Sequence, residues 1–303
     1  MKAKTGFICV VLVLTSILIA CGPPAVEELN IYKRENRFPC PENFKSTAAW
    51  VTFEWNGRPL EFKGEQYGYG SGFLADRSKG LFYSNRHVTT SFDSLGEDGH
   101  KIFFNCRVYN AVVARVAPWV DASVFRITDS FDWSDFPAPD PITEEKIKIG
   151  DKVFVEGLHP HPYDVRQKDA ARGLNYPLIP IYKDYYRFVG TGVDVYKEIV
   201  HEGFEGTVKE LAVQAEVESD DPPHTRELKR QNVFYDVIEI DNEHLFSFGG
   251  LSGSAVKNKK GEVVGIVTIE SKKYENWKTV YQTILITPVS AIEDLQRFVK
   301  EAR

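Results

Sequence analysis

One segment constrains this chain more than any other: a serine placed between glycines, directly ahead of an apolar run that is typical of a strand. It reads Gly249-Gly250-Leu251-Ser252-Gly253-Ser254-Ala255-Val256. A serine hydroxyl is a poor nucleophile unless a base is held beside it. Glycines reach φ angles closed to other residues, so that main-chain N–H groups can turn toward a developing oxyanion. Small-residue loops with serines have the same composition, so the meaning of the segment depends on whether the chain also supplies a base.

Two segments upstream supply a candidate base and a candidate residue to orient it. Residues 71–76 and 80–88 are typical of a hairpin whose second strand ends in His87. Farther along, Asp121 stands at the start of an apolar, β-prone run over residues 121–127. The chain order is therefore histidine, aspartate, serine. Of the three unrelated orders in which such triads occur, this one belongs to the chymotrypsin-like β-barrel proteases.

These segments resemble the catalytic parts of bacterial trypsin-like serine proteases of the Deg and glutamyl-endopeptidase types. The similarity covers roughly residues 48–158 and 232–300. Six stretches carry it in chain order: Gly70-Ser71-Gly72-Phe73, Ser84-Asn85-Arg86-His87-Val88, Asp121-Ala122-Ser123-Val124, the strand-like residues 149–157, Gly250-Leu251-Ser252-Gly253-Ser254-Ala255, and residues 261–268. The ordered set is far more specific than any one member.

The resemblance implies an all-β fold of two packed antiparallel β-barrels with a C-terminal helix. We expect the first barrel over residues 48–135 and the second over 136–303, with an insertion at about 159–231 in which only Thr207 to Val217 is typical of a strand. After the nucleophile, residues 255–256 and 262–269 flank Asn258-Lys259-Lys260-Gly261, which predicts a hairpin. Proline-rich residues 21–47 are typical of a tether. The helix is expected after Thr287-Pro288, because Ile292, Leu295 and Val299 fall on one helical face.

The resemblance also implies a serine endopeptidase in which Ser252 is the nucleophile, His87 the general base and Asp121 the group that orients the imidazole. The N–H groups of Gly250 and Ser252 would form the oxyanion hole. Ser254 is the rival nucleophile in the same turn, but the family places the nucleophile directly after Gly-x. A protein that keeps this fold as a binding module without turnover is the alternative function.

Two other aspartates, Asp93 and Asp98, follow His87, but both lie in a polar run with no strand to fix them. Thr268 stands where relatives carry a serine whose hydroxyl bonds the catalytic aspartate, so it could form the same bond to Asp121.

By the family's layout, the substrate pocket lies between the residues that precede the nucleophile and the strand at 268–270. We expect Phe246, Thr268 and Glu270 to line it. Phe246 occupies the position of the aspartate that selects basic side chains, so small or apolar P1 residues are predicted, although Glu270 could attract a basic one at the pocket mouth. Leu251 replaces the aspartate of the zymogen switch, and Val267 replaces the histidine of glutamate-specific relatives.

The first twenty residues are typical of an export signal rather than of a fold element. Lys2 and Lys4 precede an uncharged stretch of 15 residues, Gly6 to Ala20, which is short of the roughly 20 that a spanning helix needs. Cys21 ends a Leu-Ile-Ala-Cys sequence similar to a bacterial lipobox. We therefore expect an exported lipoprotein, acylated at Cys21 with palmitate-type chains and held on the outer-membrane or periplasmic side. An ordinary cleavable signal is the alternative.

Charge and composition limit the classes of molecule that this chain could bind. Without residues 1–20 the chain has 35 basic and 43 acidic side chains, a net charge of about −8, which argues against nucleic acid as a partner. We expect a monomer that acts on a protein or peptide and needs no cofactor. His159 and His161 could be half of a metal site, but no third ligand is spaced to complete it. Cys40 and Cys106 could form a disulfide, or Cys106 could be a small buried strand residue.

Overall fold

The structure is a computed structural model. It describes residues 45–55, 58–59, 61–62, 65–66, 69–90, 99–162, 179–180, 197–215, 217, 226, 229–230, 234–244, 248–275 and 278–302. The predicted signal at residues 1–20, Cys21 and most of the predicted tether lie outside these residues. All described residues belong to one compact unit.

The first half of this unit is a closed antiparallel barrel of six strands. The strands follow the order β1-β5-β6-β9-β8-β7, and pairing of β1 with β7 closes the barrel. The elements of this half are β1 Ala48–Trp55, β2 Arg58–Pro59, β3 Glu61–Phe62, β4 Glu65–Gln66, β5 Tyr69–Asp76, β6 Leu81–Ser84, helix α1 Arg86–Thr90, β7 His100–Phe104, β8 Arg107–Val116 and β9 Ser123–Ile127. β1 and β2 pair in antiparallel register, with Trp55 opposite Arg58.

The interior of the first barrel is filled by aromatic and β-branched side chains. Phe82 and Phe104 are fully buried, with ring centroids 4.9 Å apart in an edge-to-face contact. Phe104 makes a second edge-to-face contact with Phe136, at the same separation. Such contacts stabilise a core by about 0.5–1.5 kcal/mol beyond the burial of their area.

The second half is another closed six-stranded antiparallel barrel. Its strands follow the order β10-β14-β15-β16-β13-β12, and pairing of β12 with β10 closes it. The elements are β10 Lys152–Pro162, β11 Ile179–Pro180, β12 Lys197–Val213, β13 Tyr235–His244, β14 Ala255–Lys257, β15 Val263–Glu275 and β16 Lys278–Pro288. The predicted all-β fold of two antiparallel barrels is thus confirmed.

The chain ends in a helix that packs where the barrels meet. A 3₁₀ turn, Val289–Ile292, leads into α2, Glu293–Glu301. Ile292, Leu295 and Val299 are buried in one apolar cluster with Tyr83 of the first barrel and Ile266 of the second. The predicted C-terminal helix and its apolar face are confirmed. Among the described residues, no helix combines the length and apolarity needed to cross a membrane.

Strand β12 lies inside the range 159–231 that was expected to be an insertion. Lys197–Val213 pairs along its length with β10 and β13, so this part of the range belongs to the barrel wall. The sequence suggested a strand only from Thr207 to Val217. Its earlier half was missed because inward positions hold Glu202 and Gly206, both buried, which hide the alternation of apolar and polar residues. Most of the remaining range lies outside the described residues.

Cys106 forms a disulfide. Its partner is one of the other three cysteines of the chain, all of which lie outside the described residues. Cys106 is buried, but it lies in the turn between β7 and β8 with φ of 62°, not in a strand.

Candidate active site

His87 and Asp121 form a two-point contact. His87 Nδ1 lies 2.6 Å from Asp121 Oδ2, and the main-chain N–H of His87 donates to Asp121 Oδ1 at 2.8 Å. The carboxylate is fully buried, whereas the imidazole is 21% exposed. A carboxylate on Nδ1 fixes the tautomer and orientation of a ring that uses Nε2 as its base. The sequence placed His87 at the end of a strand, but β6 stops at Ser84, and His87 lies in the short helix α1.

Asn85 links Asp121 to the second barrel, a role that the sequence analysis missed. Its Nδ2 donates to the main-chain oxygen of Asp121 at 2.7 Å and lies 3.5 Å from Thr268 Oγ1. The expected bond between the Thr268 hydroxyl and the aspartate is not formed. Instead, Thr268 Oγ1 contacts the carbonyl of Ile266 at 3.1 Å and Thr287 Oγ1 at 2.8 Å. The only signal for Asn85 was its place two residues before His87 in a recognisable motif.

Two consecutive turns present Ser252. The Leu251 N–H donates to Phe248 O at 2.9 Å, and the Ser254 N–H donates to Leu251 O at 2.8 Å. The third residue of each turn is a glycine with positive φ, 99° at Gly250 and 95° at Gly253. A type II turn requires a positive φ at its third residue, which explains both glycines. Ser252 is the second residue of the second turn, where its side chain is partly exposed.

Ser254, the rival nucleophile, is fully buried. Its hydroxyl oxygen lies inside the protein without a hydrogen-bond partner among the described residues. A β-carbon on Gly157 would lie 1.9 Å from that oxygen, which shows how closely β10 covers it. Of the two serines, only Ser252 is reachable by a substrate. Asp93 and Asp98, the rival aspartates, lie outside the described residues.

The Ser252 hydroxyl donates to the main-chain oxygen of Thr268 at 3.3 Å. Around it, the N–H groups of Leu251 and Gly253 are engaged, the latter with Val267 O at 2.9 Å. The N–H groups of Gly250 and Ser252 donate to no acceptor within the described part of the chain. These are the two donors that the sequence analysis assigned to an oxyanion hole, and that role stays a prediction.

The expected substrate pocket is described only in part. Glu270 Oε2 accepts the main-chain N–H of Phe248 at 2.6 Å, so this carboxylate spans from β15 to the residues that precede the nucleophile. Thr268 is buried on the same strand, and Phe246 lies outside the described residues. Leu251, which replaces the aspartate of the zymogen switch, is buried in the apolar core of the second barrel.

A second polar cluster ties the start of the described chain to the second barrel. Lys257 Nζ lies 2.6 Å from Glu156 Oε2 and 2.7 Å from Asp140 Oδ2. Burial alone would raise the pKa of Glu156, but the hydrogen bond from His201 and the charge of Lys257 outweigh it and hold that pKa well below its usual range. Ser46 Oγ and Glu156 Oε1 both contact Nε2 of His201, at 3.2 and 2.8 Å. Since serine and acid share one ring nitrogen, this cluster is not a second catalytic triad.

His159 and His161 lie on β10, and their side chains fall outside what the structure describes. Among the described side chains, no three histidines, cysteines, aspartates or glutamates are grouped to hold a metal ion.

Solved structures similar to this chain include three of the Rv3671c protease from M. tuberculosis, each 14% identical in sequence. The active form gives a TM-score of 0.47 and covers 93% of this chain and 88% of its own. The inactive form gives a TM-score of 0.46, and the match covers 93% of this chain and 97% of that chain. A serine-to-alanine mutant in the inactive form also gives a TM-score of 0.46, and the match covers 85% of this chain and 88% of that chain. No protein-family model and no curated protein matches the chain.

Proposed function

We propose that this protein is a serine endopeptidase that acts through His87, Asp121 and Ser252. Ser252 Oγ attacks the carbonyl carbon of a peptide bond while His87 Nε2 takes the hydroxyl proton. His87 then gives that proton to the leaving amine, and an acyl group stays on Ser252. Water, deprotonated by His87, hydrolyses the ester and restores the serine. Asp121 holds the imidazole and stabilises its charged form.

The observation that carries the proposal is the two-point contact between His87 and Asp121. A buried carboxylate that binds both the ring Nδ1 and the main-chain N–H of one histidine leaves that ring a single orientation. An ordinary surface ion pair has no need of such a fixed geometry. The turn that exposes Ser252 and leaves the Gly250 and Ser252 N–H groups without protein acceptors supports the same function. Each such oxyanion donor contributes about 10² to 10³ in rate in comparable enzymes.

The second candidate function is a protein of the same fold that binds a partner without turnover. One observation favours it: the Ser252 hydroxyl donates to Thr268 O in this conformation. A rotation about χ1 would redirect that hydroxyl, and rotamer changes in exposed side chains are fast. We therefore treat the Thr268 bond as a resting arrangement of the proposed enzyme.

A fluorophosphonate probe distinguishes the proposed enzyme from the binding module, because it reacts with a serine only when the base and the oxyanion donors are in place. We expect the probe to label the wild-type protein and to leave the Ser252→Ala and His87→Ala variants unlabelled. Ser254→Ala is the matched control and should still be labelled if it folds. A folded wild-type protein that takes no label would favour the binding module.

Labelling alone does not separate a protease from an esterase. Cleavage of casein, with the products identified by mass spectrometry, supplies that distinction. A protein that takes the label and hydrolyses esters but cleaves no protein would be an esterase and not an endopeptidase.

We further propose that the protein is exported and anchored by lipid on Cys21. The support is the signal-like sequence of residues 1–20 and the lipobox-like residues that end in Cys21. Expression in a bacterium followed by detergent phase partitioning should place the wild type with membrane lipoproteins. The Cys21→Ala variant should leave that phase, and equal partitioning of both proteins would contradict the anchor.

For the substrate, we propose small or apolar P1 residues, because Phe246 offers no charge to a lysine or arginine in the expected pocket. The bond from the Phe248 N–H to Glu270 supports this, since it places the Glu270 carboxylate on a main-chain donor. A peptide-library cleavage profile is the test. Dominance of arginine or lysine at P1 would overturn the preference, and loss of that dominance in Glu270→Gln would assign it to Glu270.

A further inference from the structure

A groove of about 840 Å³, separate from the residues of the proposed catalytic site, lies between the segment that precedes Asp121, the ends of β12 and β16, and the start of β13. Three large apolar side chains line it and are exposed: Trp119 at 79%, Phe234 at 55% and Leu211 at 37%. Large apolar side chains that gather around one concave surface mark interaction sites more often than isolated ones do. The groove therefore has the apolar lining of a binding surface.

The groove also contains a carboxylate whose burial is energetically unfavourable. Asp236 lines it and is only 7% exposed. Its Oδ1 accepts the main-chain N–H of Ala212 at 3.0 Å. Among the described residues, no lysine, arginine or histidine forms an ion pair with it. Burial raises the pKa of Asp236, and the hydrogen bond from Ala212 offsets this only in part.

The backbone beside Asp236 is irregular where it borders the groove. The pairing of β12 with β13 shifts register between Glu210 and Val213, as it does at a β-bulge. Within this irregular stretch Ala212 has φ of 52°, the left-handed region that is unfavourable for alanine. Bulges of this kind redirect side chains near functional surfaces. Here the irregular stretch places Leu211 and Ala212 on the groove and directs the Ala212 N–H to the Asp236 carboxylate.

Most of the charges at the groove rim have the same sign as that of Asp236. Glu144, Glu145 and Glu293 line it with one lysine, Lys146. Glu145 is partly neutralised by its ion pair with Lys260 at 3.0 Å. A ligand that complements this surface must therefore bring positive charge as well as apolar area.

We propose that this groove binds an extended polypeptide segment in which one lysine or arginine stands between large apolar side chains. The cation pairs with Asp236, and the apolar side chains pack against Trp119 and Phe234. A purely apolar ligand would leave the carboxylate buried without a counter-charge, and a purely basic one would leave the aromatic rings in water. The proposal does not depend on peptide cleavage, because none of these residues belongs to the proposed triad.

The test measures binding directly, in the Ser252→Ala protein so that no probe is cleaved. Fluorescence anisotropy is recorded with three fluorescein-labelled peptides that share flanking residues and carry the cores Leu-Lys-Phe, Leu-norleucine-Phe and Leu-Glu-Phe. Norleucine keeps most of the lysine stem and removes its charge. We expect the lysine peptide to bind roughly tenfold or more tightly than the norleucine peptide, and the glutamate peptide to bind least well.

Variants in the same background locate the binding site. Asp236→Asn, which keeps an acceptor for the Ala212 N–H, should lower affinity for the lysine peptide to the level of the norleucine peptide. Glu301→Gln removes an exposed carboxylate outside the groove and should leave all three affinities unchanged. Trp119→Ala should lower the affinity for the lysine peptide and for the norleucine peptide by similar factors.

The proposal is wrong if no peptide binds, if the lysine and norleucine peptides bind with equal affinity, or if Asp236→Asn has no effect. A loss of lysine-peptide affinity in Glu270→Gln rather than in Asp236→Asn would place the peptide in the catalytic cleft, which also contradicts the proposal. Near-ultraviolet circular dichroism of each variant excludes unfolding as the cause. A failure of the proposed protease function would appear instead in the fluorophosphonate experiment and would leave these affinities unaffected.

Discussion

The main-chain N–H of Ser71 donates to the main-chain oxygen of Ser252 at 2.7 Å, and the two serines belong to different barrels. The Ser71 hydroxyl adds a bond to Gly250 O at 3.0 Å and accepts the N–H of Leu158 at the same distance. The proposed base lies in the first barrel and the proposed nucleophile in the second. The bonds of Ser71 therefore fix the position of the nucleophile relative to the base across the barrel interface.

Gly253, which follows Ser252 and lies against Ser71, has no room for a side chain. A β-carbon there would lie 1.9 Å from the main-chain oxygen of Ser71, and φ is 95°. Gly253→Ala must displace either the Ser252 loop or β5, so we expect loss of fluorophosphonate labelling and of protease activity. Gly261→Ala is the matched control, since φ is 79° there but nothing lies within 4 Å. That variant should lose about 1–2 kcal/mol of stability and keep its activity; equal activity losses in the two variants would contradict the argument.

The proposed triad predicts that the effects of Ser252 and His87 are not additive. Either alanine substitution alone should lower kcat by about 10⁶, and the double variant should be hardly worse, because each group is useless without the other. The measurement is kcat on a peptide substrate for both single variants and the double one. Losses that multiply in the double variant would mean that the two residues do not act as a unit.

Asp121→Asn separates the orienting role from the structural one. The amide oxygen can still accept the His87 main-chain N–H, but an amide group facing Nδ1 favours the wrong imidazole tautomer. We expect kcat to fall by about 10⁴ with the melting temperature nearly unchanged. Asp121→Ala, which removes both acceptors, should lower activity and melting temperature together. An Asp121→Asn variant with wild-type kcat would remove Asp121 from the mechanism.

Local patterns in the sequence were sufficient to predict the elements nearest the site. The hairpin after Ser252 appears as β14 and β15 because its apolar residues and its turn are adjacent in sequence. The face of the C-terminal helix follows from the spacing of Ile292, Leu295 and Val299, which are all buried. In both cases, one short stretch of chain contains the whole signal.

The features that were missed depend on distant contacts. Strand β12 was predicted only in part, because Glu202 occupies an inward position that a sequence pattern assigns to an apolar residue. The bond from Ser71 to Ser252 joins residues of different barrels, and that from Asn85 to Asp121 spans 36 positions. The Ser71–Ser252 bond forms only once both barrels are in place, and the Asn85–Asp121 bond forms only once β6 and β9 have paired in the first barrel.

Lys257 should be important for stability because it pairs with two carboxylates of the second polar cluster. Its side chain is 11% exposed, and it contacts both Glu156 and Asp140. Lys257→Met leaves two partly buried carboxylates without this counter-charge, so we expect the free energy of unfolding to fall by about 3–5 kcal/mol. Urea unfolding at pH 7 measures it. Lys260→Met, which breaks an exposed pair with Glu145, is the control and should have a much smaller effect.

The loss in Lys257→Met should itself depend on pH. The pKa of Glu156 is lowered in the folded protein, so its contribution to stability is present above the ordinary carboxyl pKa of about 4 and is lost as the pH falls below it. Protonation of the carboxylates removes the charge that the variant leaves uncompensated. The difference between wild type and Lys257→Met should therefore narrow in acid, and a constant difference down to pH 3 would contradict the ionic explanation.

The contribution of Asp236 to stability should depend on pH in the opposite sense, when no peptide is present. Burial raises its pKa in the folded state, so the ionised carboxylate costs stability once the pH exceeds the ordinary aspartate pKa of about 4, and costs nothing below it. Asp236→Asn should therefore increase the free energy of unfolding at pH 7, and this gain should vanish as the pH falls below 4. Asp241→Asn is the control of opposite sign, because the hydrogen bond from Lys152 lowers the pKa of Asp241 and makes its ionised form stabilising. Urea unfolding of both variants from pH 7 to pH 3 decides the matter: a loss of stability in Asp236→Asn at pH 7 would mean that the groove carboxylate is satisfied within the fold and has no need of a cation from a partner.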